Sequence, residues 1–423
     1  MLTVPSPARE PQPTGYRLSM DDGPVDTEWR WSWVLGISAT VVVGFGALLY
    51  AFSVLLTKEA AGSEFSTTTL SVAYGGSVLI GGGMAFWIGR HADRHGVRSI
   101  VALGSILGAL GLIGFGAAQE PWQIMAVSWL LIGPGGTMVF YEPAYVAIDQ
   151  WFGARHRARA VATLTVLGGL SGPIFIPLTS WLVDRWGWRT TSVVLAVIVA
   201  AFGLTIALFV LPSRPVAEKQ TERPSVRSTF HHLRRDSRFV WFTVATFLMF
   251  GSLQAVFFHR IAVFEEAGFS VGKVSAWAAV AGLLSFPGRW AAPYLAQRLG
   301  GTRINTVVLG LQAIAVFMMV DGTRNWQLGG HFVLFGLLLG MLLPLRAVIM
   351  GGWYSGPGFG SIMGAQWSIT AIAGAAGTAA IGALRDGVDG YDLPMTIVGV
   401  LFLAAAAATL ISNRANATAP GIQ

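Results

Sequence analysis

Trp151-Phe152-Gly153 and, about two hundred residues later, Trp353-Tyr354-Ser355 mark two copies of one arrangement. At the same offset of roughly 202, Gly172 is matched by Gly374 and Asp184 by Asp386, while Gly168 and Gly169 are answered by the small Thr370 and Ala371. A weaker echo pairs Asp93-Arg94-His95-Gly96 with Gln297-Arg298-Leu299-Gly300 at an offset of about 204, so little insertion separates the copies. The chain therefore reads as two tandem halves.

Each half is apolar enough for a membrane. Hydrophobic residues make up 53% of the chain and charged residues 12%, against about 25% charged in soluble domains. Long apolar stretches cover residues 33–56, 70–88, 99–117, 122–148, 161–182 and 190–211, then 239–258, 274–295, 304–320, 326–350, 361–384 and 394–412. Most approach the roughly 20 residues that a helix rising about 1.5 Å per residue needs to cross the hydrocarbon. They are uniformly apolar rather than alternating, which selects helices over barrel strands. The expectation is an all-α membrane protein of twelve spans in two pseudo-symmetric six-helix bundles, at residues 31–211 and 239–412. Residues 1–30, rich in proline and acids, read as a disordered tail. Residues 212–238 form an inter-bundle loop and 413–423 a second tail.

Orientation follows from the basic residues. With the N-terminus inside, inner segments hold Arg90, Arg94, Arg98, Arg155, Arg157, Arg159, Arg298, Arg303 and the cluster from Arg214 to Arg238. Outer loops hold scattered ones such as Lys58, Arg185 and Lys273. Both tails and the inter-bundle loop are expected in the cytoplasm, and the protein in the plasma membrane. The +7 formal charge is spread over short loops and does not point to nucleic acid. No GxxxxGK[ST] loop is present, and Gly133-Pro134-Gly135-Gly136 lies inside an apolar span, where packing explains it better than dinucleotide binding. His91 with His95, or His231 with His232, lacks acidic or cysteine partners for a metal. No cofactor and no metal are expected, and nothing suggests an enzyme.

The loop after the second span, Gly89-Arg90-His91-Ala92-Asp93-Arg94-His95-Gly96-Val97-Arg98, fits G-x-x-x-D-R-x-G-x-R. Gly89 permits close helix approach, Gly96 a positive backbone dihedral, and Asp93 can accept hydrogen bonds from a neighbouring helix terminus or arginine. The stretch resembles the signature of the Major Facilitator Superfamily, and with it Gly89, Asp93, Arg94, Gly96 and Arg98 are assigned to a conformational-switch loop. In the second copy Pro293 and Gln297 stand in for the glycine and the aspartate, so that loop keeps its turn and loses its charged latch.

Two further stretches resemble the monocarboxylate-transporter branch and its bacterial relatives. Trp151-Phe152-Gly153-Ala154-Arg155-His156-Arg157-Ala158-Arg159-Ala160 is similar to that branch's segment between the fourth and fifth spans. Ser285-Phe286-Pro287-Gly288-Arg289 is similar to its D-x-x-x-R element, with the arginine kept and the aspartate absent. The lysine of the first span is also absent, Tyr50-Ala51-Phe52-Ser53 being uncharged. The resemblance implies that Arg289 receives a substrate carboxylate.

Depth singles out the same arginine. Arg289 precedes Arg298 by nine residues, about 13 Å of helix, and Glu142 precedes Trp151 by the same number; Arg346 lies seven before Trp353. A charge so deep costs roughly 2.5–3.5 kcal/mol and normally faces a wet cavity or a partner. Arg289 reads as an anion receptor or as a snorkelling brace. Glu142 reads as an ion-pair partner of Arg346 closing the cytoplasmic side, as a proton carrier, or as local packing. Tyr50, Tyr141, Tyr145, Gln254, His259 and Gln366 are candidate polar cavity contacts. The glycine-rich spans and Pro173 and Pro177 suit helices that rock about a fixed site. The reading that follows is a secondary transporter of small organic anions, monocarboxylates first, working as a monomer by alternating access and coupled to protons. Anion exchange and drug efflux stand as alternatives, and a transport-derived sensor or scaffold is the alternative of another class.

Overall fold

The computed structural model describes residues 27–55, 60–212, 226–388 and 390–415, which are helical and contain no strand. Twelve spanning helices follow one another: α1 (residues 27–55), α2 (Thr67–His95), α3 (Arg98–Ala117), α4 (Pro121–Trp151), α5 (residues 154–186), α6 (residues 188–210), α7 (Ser237–Glu266), α8 (Val271–Leu299), α9 (Gly301–Phe317), α10 (Asn325–Tyr354), α11 (Phe359–Val388) and α12 (Asp392–Ala415). Among the described residues nine helices are long and apolar enough to cross a membrane. One of these, His156–Val210, breaks at Gly187, whose φ of 74° is open to glycine at little cost, and so supplies both α5 and α6. The other two spans are α9, which is short, and α8, whose apolar run is interrupted by Arg289 and Arg298.

Local signals account for the helix ends. Ser66 caps α2 by accepting from the Thr69 N–H at 3.1 Å, and Gly96, with φ 76°, ends it. Pro121 opens α4, where a backbone–side-chain exchange between Glu120 and Gln123 closes the first turn. The helices run past the apolar stretches at many ends because polar residues continue a helix at the headgroup level. Two expected boundaries shift accordingly. Thr27–Arg30 already belong to α1 rather than to a tail, and the inter-bundle stretch contains a helix, Val226–Arg235, before α7 starts at Ser237. The remainder of the first tail, residues 213–225 of the inter-bundle loop, Lys58 and the end of the second tail lie outside the described residues.

Within each half, α3 packs on α6 and α9 on α12, and the halves meet through α2 against α11 and α5 against α8, pairings related by the internal repeat. Because the number of spans is even, both chain ends lie on one face, the terminal face, with the α2–α3, α4–α5, α8–α9 and α10–α11 turns. Among the described residues, hydrogen bonds between the halves run from the middle of the helices to this face. Toward the opposite, distal face a Cβ added at Gly75 on α2 or at Gly282 on α8 would meet nothing within 4 Å.

Candidate functional site

The fourth helix places the site. Pro143 has no N–H to give to the preceding turn, and α4 breaks just before it at Phe140, whose backbone is extended (φ −84°, ψ −163°). A fresh helical segment, Tyr141–Trp151, starts there and presents Tyr141 and Glu142 in its first turn to the second half. A carboxylate in a first turn also sits favourably against the positive end of the helix dipole.

Glu142 meets Arg346 of α10. Arg346 Nη1 donates to Glu142 Oε1 at 2.7 Å and Nη2 to Oε2 at 3.4 Å, a two-pronged pair bridging the halves. The rest of the guanidinium is engaged as well: Nε donates to Gln366 Oε1 at 2.8 Å, Nη2 also to the Met363 carbonyl at 3.3 Å, and the Trp367 ring centre lies 5.3 Å from Cζ. Gln366 in turn donates to Thr246 Oγ1 of α7 at 3.4 Å. Arg346 is 1% exposed and Glu142 8%, so this is a dry junction of four helices.

Arg289 of α8 meets the neighbouring residue. Its Nη1 donates to Tyr141 Oη at 3.4 Å and to the Thr165 carbonyl of α5 at 3.2 Å, while its buried Nε has no partner. Gly168 and Gly169 make room for this contact, since a Cβ at Gly168 would strike the Tyr141 hydroxyl and one at Gly169 would press on Phe286 and on Arg289 Nε at 3.2 Å. Tyr145 stacks on Tyr141 with ring centres 5.7 Å apart, and its buried hydroxyl has no partner. Phe45 packs on Tyr141 from α1, and Tyr50 lies beside Gly172. Together these groups form an aromatic-walled seam around an incompletely satisfied guanidinium.

Other candidates fall elsewhere. His259 lies toward the distal end of α7, where its ring nitrogens meet the Thr378 carbonyl and the Tyr391 hydroxyl, each at 3.2 Å, so it ties α7 to α11 and to the start of α12. Gln254 is half-buried against Gly374 of α11 and touches neither arginine's network. Gln366 is drawn into the Arg346 junction.

In the α2–α3 loop, Asp93 accepts from the N–H groups of Gly360 and Ser361 at 2.7 and 2.8 Å and from Ser361 Oγ at 2.9 Å, capping α11 across the half boundary. Gly89 lies against the Gly360 carbonyl with no space for a side chain. Arg98 donates to the Leu208 carbonyl at the end of α6 at 2.9 Å, and Arg94 is exposed. A second tie passed unnoticed in the sequence. Arg157 donates to the Gly351 carbonyl at 2.7 Å and lies 2.8 Å from Asp149 Oδ1, off the hydrogen-bond axis, and Asp149 Oδ2 accepts from Gly356 N–H at 3.0 Å. Asp149 carries no distinguishing motif along the chain, and only the facing α10–α11 turn reveals its use.

Twelve spans, two packed halves and a polar seam between them define a multi-pass membrane transporter rather than an enzyme. Residues 34–344 match the Major Facilitator Superfamily, and the chain belongs to it. Among its relatives, the MFS-type transporter YcxA of Bacillus subtilis is 25% identical over 384 residues, 88% of this chain and 92% of that one. The multidrug resistance protein MdtH of Shigella flexneri is 27% identical over 380 residues, 85% and 88% of the two chains. Similar solved structures include the human organic anion transporter MFSD10, with TM-score 0.70 and 17% identity over 92% of this chain and all of that one. The transporter FucP in its outward conformation has TM-score 0.70 and 14% identity, covering 90% of this chain and 99% of the other. At such identities the structures share the fold alone.

Proposed function

We propose that this secondary transporter carries small organic anions, monocarboxylates first, with Arg289 as the anion receptor and Tyr141 holding it in place. The observation that supports this most is the state of Arg289: one nitrogen is anchored to both halves' boundary, another is buried and unpaired, and aromatic rings flank it. A guanidinium stays charged at any relevant pH and its planar fork matches a carboxylate. The Glu142–Arg346 pair is the latch that holds the halves together on the terminal face, with Asp93, Asp149 and Arg157 as its outer ties. When that face opens the pair must part, which frees Glu142 to take a proton. Proton symport is therefore the proposed coupling, with Tyr50 lining the path and Gln366 steadying the latch. Exchange of one anion for another is the second reading, favoured by how completely Glu142 is committed to Arg346.

The basic terminal-face loops support a cytoplasmic location for both chain ends in the plasma membrane of the cell. Labelling of a single cysteine at position 225 from outside intact cells would overturn that orientation. For substrate and coupling, the test is uptake of a panel of labelled carboxylates into proteoliposomes, with and without a pH gradient. Accumulation driven by the gradient, lost in Glu142→Gln while exchange persists, supports symport. Exchange with no response to the gradient supports the second reading, and no carboxylate flux of either kind ends the assignment.

A further inference from the structure

Arg260 lies on α7 six residues before the helix ends at Glu266, about 9 Å inside a membrane-spanning helix. Among the described residues no carboxylate pairs with it and no group accepts a hydrogen bond from it; its Nε is buried and unpartnered. What it does have is aromatic: its Cζ is 4.6 Å from the ring centre of Phe257 and 5.5 Å from that of Phe332 on α10. The neighbouring His331 is fully buried with Nδ1 on the Ala315 carbonyl at 2.8 Å, and brings no negative charge. A charge whose Nε is buried ordinarily has a partner, and two ring faces offset only part of its desolvation.

Fourteen residues separate Thr246 from Arg260 on α7, and fourteen separate Phe332 from Arg346 on α10. Fourteen residues are close to four helical turns, about 21 Å. Arg260 and Phe332 thus lie on the same helix faces as the Thr246–Gln366–Arg346 junction, displaced toward the distal face. Arg260 and Phe257 are partly exposed there, whereas Phe332 is fully buried and backs the guanidinium.

We propose that Arg260, framed by Phe257 and Phe332, is a second binding site for a small organic anion with an apolar body. The carboxylate takes guanidinium N–H groups to which no described residue offers an acceptor, and the apolar part lies against the partly exposed ring of Phe257. Its use as a staging site on the way to Arg289 rests on the reading of Arg289 above; the Arg260 site itself does not.

The test is equilibrium binding of radiolabelled benzoate to the full chain in phosphatidylcholine nanodiscs, comparing the parent with Arg260→Gln, Arg289→Gln and the double variant. Two benzoates per chain in the parent, one in Arg260→Gln and none in the double variant are expected. Monodisperse elution establishes that each variant is folded, and Arg260→Lys and Phe332→Leu, milder changes, should keep the second benzoate at reduced affinity. Should Arg289→Gln still bind both while Arg260→Gln binds one fewer, the receptor role of Arg289 fails and the Arg260 site stands. A folded Arg260→Gln that binds as many benzoates as the parent overturns the proposal. So does the finding that Arg260→Gln loses only a co-purifying anionic lipid.

Discussion

Arg346 and Arg289 come from adjacent helices of the same half, reach consecutive residues of α4, and are treated in opposite ways. Arg346 has hydrogen bonds from all three nitrogens, a carboxylate across the boundary and a tryptophan beside it. Arg289 has two bonds from a single nitrogen, both to neutral oxygens, and a buried Nε with none. The contrast teaches that a buried arginine's role lies in what it lacks. A saturated guanidinium holds helices together, whereas the unsaturated one in the seam is the proposed receptor for a ligand that brings the missing charge.

The largest expected effect breaks the saturated side. Glu142→Gln leaves Arg346 charged and buried without its counter-ion, at a cost of about 3–5 kcal/mol to the state closed on the terminal face. A cysteine at position 351 should then react far faster with a soluble maleimide in the purified protein. The double variant Glu142→Gln/Arg346→Gln should recover part of the protection; equal reactivity in parent and single variant would remove the latch from the account.

Next comes the unsaturated side. Arg289→Gln should weaken carboxylate binding by one to two decades, as expected for losing a charge-assisted hydrogen bond of about 1.5–3 kcal/mol. Arg289→Lys should lie between. Folded yield is measured beside binding, since loss of protein would mean that Arg289 is structural, and a folded Arg289→Gln with parental affinity would make the two arginines alike.

Asp93→Asn sharpens the comparison from outside the seam. Asn keeps one acceptor oxygen where the carboxylate used two for three donors, weakening the cap on α11. A change of about 1.4 kcal/mol in the closed state corresponds to roughly tenfold in rate, so turnover should change by about that factor. Apparent affinity should stay within about twofold, because the cap touches no ligand; weaker affinity at unchanged turnover is the contrary result.

The smallest effect concerns an exposed pair on the distal face. The Arg189 guanidinium, 2.6 Å away, holds the Glu64 carboxyl below its ordinary pKa. A depressed pKa stabilises the fold above the ordinary carboxylate range and the gain disappears as pH falls through it. Both side chains are more than a third exposed, so about 0.2–1 kcal/mol is expected after solvent screening. Thermal unfolding at pH 7 and pH 4 should show a slightly smaller acid-induced loss in Arg189→Gln than in the parent.

Much of this was legible along the chain because hydrocarbon imposes simple demands. Backbone groups without water must bond within their own helix, so apolar runs alone marked twelve spans, and the repeat divided them into halves. The turn glycine and the capping aspartate of the α2–α3 loop were likewise legible, being local backbone requirements. Depth counted from loop landmarks put Glu142, Arg289 and Arg346 at similar levels. Counting could not say which helices faced one another, and so left Glu142 with three readings and could not show that His259 ties α7 to Thr378 and Tyr391. Arg260 was overlooked because apolarity fades at Phe258 while the helix continues to Glu266.

The sequence by itself determined the class of fold, the number of crossings and the depth of Glu142, Arg289 and Arg346, since these follow from composition and from rise per residue. Only the tertiary structure decided that Arg346 is satisfied, that Arg289 and Arg260 are not, and that Asp93 reaches across to α11. Hydrogen bonds and ion pairs act over a few ångströms, and groups some two hundred residues apart come within that distance only through the packing of one half against the other.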